Sequence, residues 1–217
     1  MRRAHPAGQL KSMSFTVTIR EPRADSTVQR NASGIVGFPG KYRLANQPAS
    51  RRSGVVRDRE RLAVFEAGKR VASSSRVDVA HVLAYDVFAQ RIDSTIQWLD
   101  IARVRLGVAR RDRWQGRSVW VVGALAGDTT STQFWVDDDH WRVLRVIQRD
   151  PRRPNDILDV RYRDFDDVMR VPVPRQIEIY RNGRYAQTQL VTAIVANPRL
   201  PSSAFDLRRW RNVKAGN

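Results

Sequence analysis

The residues of this chain that could do chemistry are few and scattered. The densest group is Asp137, Asp138, Asp139 and His140, set between two aromatic-rich segments. Adjacent carboxylates on a hairpin can hold a hard cation weakly. Neighbouring residues of an extended segment point opposite ways, however, and aspartates are common in turns because their side chains bond back to the backbone. The group therefore reads as a turn and not as a metal site. The histidines His5, His81 and His140 form no HExxH or other paired spacing. His81 lies beside Val82 and Leu83 and reads as a structural histidine. No GxSxG occurs, and the stretch Gly34–Gly37 lacks the Lys and the following helix that a phosphate-cradling loop needs. Between Asp156 and Asp167, Asp alternates with Arg (Asp159, Arg161, Arg163, Asp164). On a strand face that gives cross-strand ion pairs, each worth under ~1 kcal/mol. No cysteine is present, which excludes disulfides, thiol catalysis and Cys-ligated zinc. The expectation is a chain that is not an enzyme and needs no cofactor or metal.

Elements must position whatever the chain does instead, and most of them read as strands. The last half is one antiparallel meander: Arg117–Ala124, Thr132–Asp137, Trp141–Gln148, Ile157–Phe165, Pro174–Arg181 and Arg184–Val195. Asn182-Gly183 is a strong hairpin signal, because both turn positions want positive φ. Pro172 and Pro174 place the entry of their strand at an edge. Upstream, Ser14–Arg20 alternates Phe15, Val17 and Ile19 against polar residues, as a half-buried strand does. Val28–Phe38, Lys41–Asn46, Gly54–Arg57, Arg61–Glu66 and Arg70–Ser74 follow as strands. The period then changes. Asp78–Gln90 sets Val79, Val82, Leu83 and Val87 at helical spacing behind Asp78 as N-cap. Asp93–Val104 repeats the signal with Ile96, Trp98, Leu99 and Ile101, capped by Asp93 or Ser94. Trp114-Gln115-Gly116 turns the chain into the meander.

At 217 residues this is most simply one domain. The fold class is α+β, mainly β: helices inserted once into an antiparallel sheet cover one of its faces. A curved sheet of many strands under such helices encloses an apolar cleft. Residues 1–13 read as a disordered or processed segment, 14–207 as the domain and 208–217 as a basic tail on which Trp210 can dock. The first residues have an Arg pair but no apolar core, so they do not read as a signal peptide. No apolar run approaches the ~20 residues of a membrane helix. The chain reads as a mature domain, either cytoplasmic or with an export signal removed. The net charge is +17, and of 39 basic residues only Lys11, Lys41, Lys69 and Lys214 are Lys. Such charge attracts polyanions, whether nucleic acid or an anionic membrane surface.

The order of several segments resembles the LolA/LolB-like superfamily of bacterial outer-membrane lipoprotein-sorting and lipid carrier proteins. The segments are FTVTI at Phe15–Ile19, PGKYR at Pro39–Arg43 and the hairpin RLAVFEAGKRVA. GRSVWVVGA at Gly116–Ala124, FWVDDDHWRVLRV at Phe134–Val146, the strand pair from Pro174 and the closing PSSAF at Pro201–Phe205 complete the series. The resemblance spans nearly the whole chain. It implies a curved, incompletely closed antiparallel β-barrel with a helical lid inserted between early and late strands. It also implies an apolar cavity, a lipid or acylated lipoprotein as partner, and a periplasmic or envelope location. The family's gating arginine maps onto no single position here.

Alternation places Phe15, Val17, Ile19, Phe134, Val136, Ile177 and Ile179 on the inward side, and Leu83, Val87, Trp98 and Leu99 on the helices face them. These are the candidate cavity residues. Trp120, Trp135 and Trp141 fall on three successive strands and serve either as core or as a greasy wall for acyl chains. Two functions follow. One is a monomeric, non-enzymatic carrier or sensor of an acyl chain, lipid or lipoprotein under a helical lid. The alternative is a basic nucleic-acid-binding module that stacks bases on exposed aromatics, although the arginines are dispersed and no recognition motif is present.

Overall fold

A computed structural model describes residues 10–213. Two portions lie outside the described residues: residues 1–9 of the expected leading segment, with His5, and the last four of the tail. Thirteen strands form one antiparallel sheet in the order β6-β5-β4-β3-β2-β1-β13-β12-β11-β10-β9-β8-β7. In chain order they are β1 Ser12–Pro22, β2 Thr27–Gly37, β3 Lys41–Asn46, β4 Gly54–Asp58, β5 Arg61–Glu66, β6 Lys69–Ser75 and β7 Ala109–Trp114. The rest are β8 Arg117–Val122, β9 Gln133–Asp137, β10 Val143–Arg149, β11 Ile157–Val168, β12 Val171–Arg181 and β13 Arg184–Ala196. Two helices, α1 Val79–Ala84 and α2 Ile92–Ile101, enter between β6 and β7. The barrel is incompletely closed, since β6 and β7 are its unpaired edges.

The strands form where the alternation says they should. Phe15, Val17 and Ile19 are buried while Thr16, Thr18 and Arg20 are not. The inward rows of β1, β9, β10, β11 and β12 meet α1 in one core. Register shifts at Thr16/Val17, Val64/Phe65, Val143/Arg145 and Ile179/Tyr180 mark bulges, which add twist and bend strands. Asn182 and Gly183 both have positive φ and close the β12–β13 hairpin as expected. The first residues of β12 pair with β11 but not with β13, whose register begins at Gln176. Pro172 and Pro174 thus sit on a local edge inside the sheet.

Four readings need correction. The meander begins one strand early: β7 carries the sequence ARRDRW, which buries no apolar row, so alternation could not reveal it. Trp141 is not on β10; it lies in the preceding turn with φ +56 and is 42% exposed. The first helix is shorter than Asp78–Gln90, breaking at Tyr85 into a 3-10 turn over Asp86–Phe88. Every residue of α1 is buried, and Ala80 and His81 line a cavity beneath it. The second helix is capped at Arg91 with Asp93 inside its first turn.

The curvature rests on one carboxylate. Asp78, the N-cap of α1, accepts from Arg57 Nη2 of β4 at 3.0 Å and from Gln148 Nε2 of β10 at 2.9 Å. Strands β4 and β10 are seven places apart in the sheet, which in a flat sheet means about 34 Å. Two side chains meeting at one carboxylate require the sheet to fold back over that distance. Gln148 Oε1 also accepts from Ala80 N at 3.1 Å, and Tyr162 Oη of β11 donates to Ala80 O at 3.0 Å. On the other arm, Asp86 Oδ1 accepts from Gly40 N at 2.7 Å. Helix α1 is thus pinned to both arms of the sheet.

Burial pushes the Asp78 carboxyl up, but Arg57, His81 and the Gln148 bond outweigh it and hold the group below the usual carboxylate range. A depressed folded-state value means that the contribution is complete above the unfolded value. It is lost as pH falls through the folded one. Asp78→Ala should cost about 3 kcal/mol, because Arg57 would remain buried without its partner. Urea denaturation of both proteins checks this, and the gap between them should shrink below about pH 4.

Candidate functional site

The folded-back sheet leaves a cavity of about 630 Å³ on its concave side. That falls within the roughly 300–1,000 Å³ of ordinary ligand pockets. Its apolar wall is built by alternate residues of adjoining strands: Phe15 on β1, Leu158, Val160 and Tyr162 on β11, Ile177 and Ile179 on β12, and Val191 on β13. Tyr42 and Leu44 of β3 close it from the opposite arm, with the Phe15 and Tyr42 rings stacked at 6.5 Å. Polar side chains line it too, among them Asn46, Arg51, Arg152, Gln187 and Gln189, the last two directly opposite Ile179 and Ile177 in the β12–β13 register. Such a mixed lining suits an amphiphile.

Gly34 of β2 shapes the wall by absence. A Cβ there would lie 2.1 Å from Phe15 Cζ, so the far end of the Phe15 ring occupies the space that a side chain at position 34 would need.

Arg57, Asp78 and His81 line this cavity and also a second, polar one of about 260 Å³ under Trp98, Gln97 and Ser94. They form the wall between the two. His81 packs against Tyr42 and Tyr85, with ring centroids at 5.4 and 5.2 Å, and its Nε2 is 3.7 Å from Asp86 Oδ1. Burial pulls its pKa down against the attraction of Asp86, while burial pushes Asp86 up. The Tyr42, Tyr85 and Tyr162 hydroxyls are pushed up by the same desolvation.

Of the residues read from sequence as cavity candidates, Phe15, Ile177 and Ile179 line the large cavity. Val17, Ile19, Leu83, Val87, Leu99, Phe134 and Val136 lie in the contiguous packed core. Trp98 lines the polar cavity. Sequence reasoning passed over Leu158, Val160 and Tyr162, although they alternate with the Asp and Arg residues of β11. The charged residues of β11 mask this apolar row in the sequence.

That charged face behaves as expected. Arg145 grips Asp159 through two bonds of 2.8 Å, and Arg161 shares the same carboxylate. Asp137 Oδ1 accepts from the backbone of Asp139 and His140 at 2.9 and 2.7 Å, so the acidic run is a capped turn. Several outer aromatics are covered by guanidinium groups: Arg145 over Trp135 at 4.6 Å, Arg161 over Tyr180 at 3.9 Å, Arg111 near Trp120 at 5.0 Å. The tail residue Trp210 is buried on Phe65, with Arg43 stacked on it at 3.8 Å. Among the described residues, no helix is long and apolar enough to cross a membrane.

No protein-family profile and no curated protein matches the chain. Solved structures do. A LolA superfamily protein from Nitrosomonas europaea superposes with a TM-score of 0.55 at 17% identity, over 94% of this chain and 93% of that one. A domain described as an outer membrane lipoprotein-sorting protein from Vibrio parahaemolyticus gives 0.62 at 11% identity, with the same coverage. The chain has a LolA-like fold. A DUF1329 family protein from Desulfovibrio piger shares it, with a TM-score of 0.59 at 11% identity, again over 94% and 93%. At such identities the likeness fixes the architecture, and the LolA-like chain must supply its own site.

Replacing Gly34 by Ala tests how that site is shaped. The Phe15 ring must move off β2 and into the cavity, at a cost of about 1–3 kcal/mol for overpacking. Thermal unfolding should report the loss, and the Phe15 ring resonances should shift while those of the β7–β9 end stay in place.

Proposed function

We propose that this protein is a non-enzymatic carrier or sensor that holds an acyl chain, free or as part of a lipid or lipoprotein, in the 630 Å³ cavity. The observation that supports it is the wall formed by Phe15, Val160, Ile177, Ile179 and Val191, apolar residues on adjoining strands that line one space together with Ala80 and His81 of α1. Burial of an alkyl chain there gains roughly 0.8 kcal/mol per methylene, which is the affinity a carrier needs and an enzyme would have to supplement with chemistry. The catalytic motifs that would do so are not in the sequence. The LolA-like fold agrees with this reading, as one of its structural neighbours is described as lipoprotein-sorting. A bacterial periplasm or envelope is the matching location. The cargo enters past the Arg51 and Arg152 rim, and α1, pinned to both arms, sets how far they can separate.

Native mass spectrometry of protein purified from a membrane-containing host tests the proposal. Bound lipid is expected, and a fluorescent fatty acid should be displaced by unlabelled acyl chains. Ile179→Trp, which fills the cavity from β12, should weaken probe binding by at least about tenfold, that is by ~1.4 kcal/mol, while leaving the far-UV spectrum unchanged. Protein that carries no lipid and binds no probe would sink the carrier reading.

A further inference from the structure

The charges around the cavity mouth do not cancel evenly. Four arginines and three acidic residues line the cavity, and most are already committed. Arg57 is held by Asp78 at 3.0 Å. Arg30 is held by Glu21 at 2.9 Å and by Asn46 Oδ1 at 2.7 Å. Asp150 is fully buried, accepts from Arg181 Nη1 and also takes the Arg152 backbone N–H at 2.8 Å. The Arg152 guanidinium therefore meets a carboxylate that is already satisfied, at a loose 3.7 Å, and its side chain is 44% exposed. Arg51 ends the 3-10 turn Ala49–Arg51 and makes no ion pair among the described residues. One free carboxylate, Glu66, stands at the same rim. Two uncommitted guanidinium groups against one carboxylate leave the mouth positive.

The geometry adds direction to that excess. Arg51 lies in the β3–β4 connection and Arg152 in the β10–β11 connection, on opposite arms of the folded-back sheet. Both line the cavity that also holds the apolar wall, and Gln187 and Gln189 of β13, opposite Ile179 and Ile177, line it as further donors. A guanidinium presents paired N–H groups that match the two oxygens of a carboxylate or phosphate. An alkyl chain seated on Ile177 and Ile179 shares this cavity with both guanidinium groups.

We infer that the occupant is an anionic amphiphile, its acyl chain on the apolar wall and its carboxylate or phosphate head between Arg51 and Arg152. This rests on the carrier reading and narrows it. Neutral lipids and alcohols would lose the head contacts and keep the chain contacts.

Isothermal titration of the purified, delipidated protein with laurate and with dodecanol, below their aggregation concentrations, tests this. Laurate should bind at least about tenfold tighter than dodecanol. The double variant Arg51→Gln/Arg152→Gln should bring laurate down to the dodecanol level and leave dodecanol unchanged. A control pair on the edge strand β7, Arg111→Gln/Arg113→Gln, should leave the preference intact, because those side chains line neither cavity. Dodecyl phosphate in place of laurate separates a carboxylate head from a phosphate head. Equal binding of laurate and dodecanol would overturn the inference and leave the carrier reading standing. A preference that survives the Arg51/Arg152 change, or that falls as much with the β7 pair, would show that general positive charge attracts the anion and would overturn the clamp. Failure of both ligands to bind would overturn the carrier reading and this inference together.

Discussion

The structure depends on the Asp78 carboxylate. A thirteen-strand sheet whose edges do not pair has no hydrogen-bonded closure to set its radius. Twist and bulges bend such a sheet, but they leave the bend soft. Asp78 fixes it by taking one hydrogen bond from each arm, and α1 extends the fixation through Ala80, Gln148, Tyr162 and Asp86. The arrangement is costly in isolation, since Arg57 is almost wholly buried and a buried ion pair gains little over apolar packing. What it supplies is a fixed separation between β4 and β10. The cavity exists because that separation is held at a value the core side chains do not fill.

The same bend explains the division of labour between the two faces. The concave side receives the apolar rows and, where α1 reaches, packs them solid. The convex side keeps many of the arginines, some paired with Asp or Glu, as Arg145 is with Asp159, and some lying on aromatic rings. Individually such pairs add little. Their effect is to dispose of charge on a surface that would otherwise repel itself, so that much of the +17 is dispersed. A nucleic-acid module would keep its aromatics bare for stacking; here Trp135 and Tyr180 are under guanidinium groups, while Trp141 and Tyr185 stay exposed.

What could be read from the sequence follows from this physics. Period-two alternation reports burial of one face, so every strand with a buried apolar row was legible, as were the Asn182-Gly183 turn and the Asp78 cap. Strand β7 was illegible because an edge strand of alternating Arg and Asp buries no row. Trp141 was misplaced because a tryptophan next to a strand looks like part of it, and only backbone φ reveals the turn. The break in the first helix was hidden because α1 is buried all round and has no amphipathic period to end. The cavity was legible as an inward face and not as a space. Alternation cannot distinguish Ile19, which is fully packed, from Ile179, which faces the opening. Nor can it show that one aspartate spans seven strands, because Arg57, Asp78 and Gln148 are ordinary residues at unremarkable positions.

Energetics bear on whether that opening can be idle. The cavity of about 630 Å³ opens to solvent, so water reaches it. Asn46, Arg51, Arg152, Gln187 and Gln189 can bind that water, but the wall of Phe15, Val160, Ile177 and Ile179 offers it no partners. Water against that wall keeps apolar surface hydrated that folding would otherwise bury. A ligand with an alkyl chain removes the penalty, so binding and folding stability are linked. Phe15, Val160 and Ile177 belong to the same buried core as α1, and an alkyl chain seated against them and Ile179 would extend that core into the cavity.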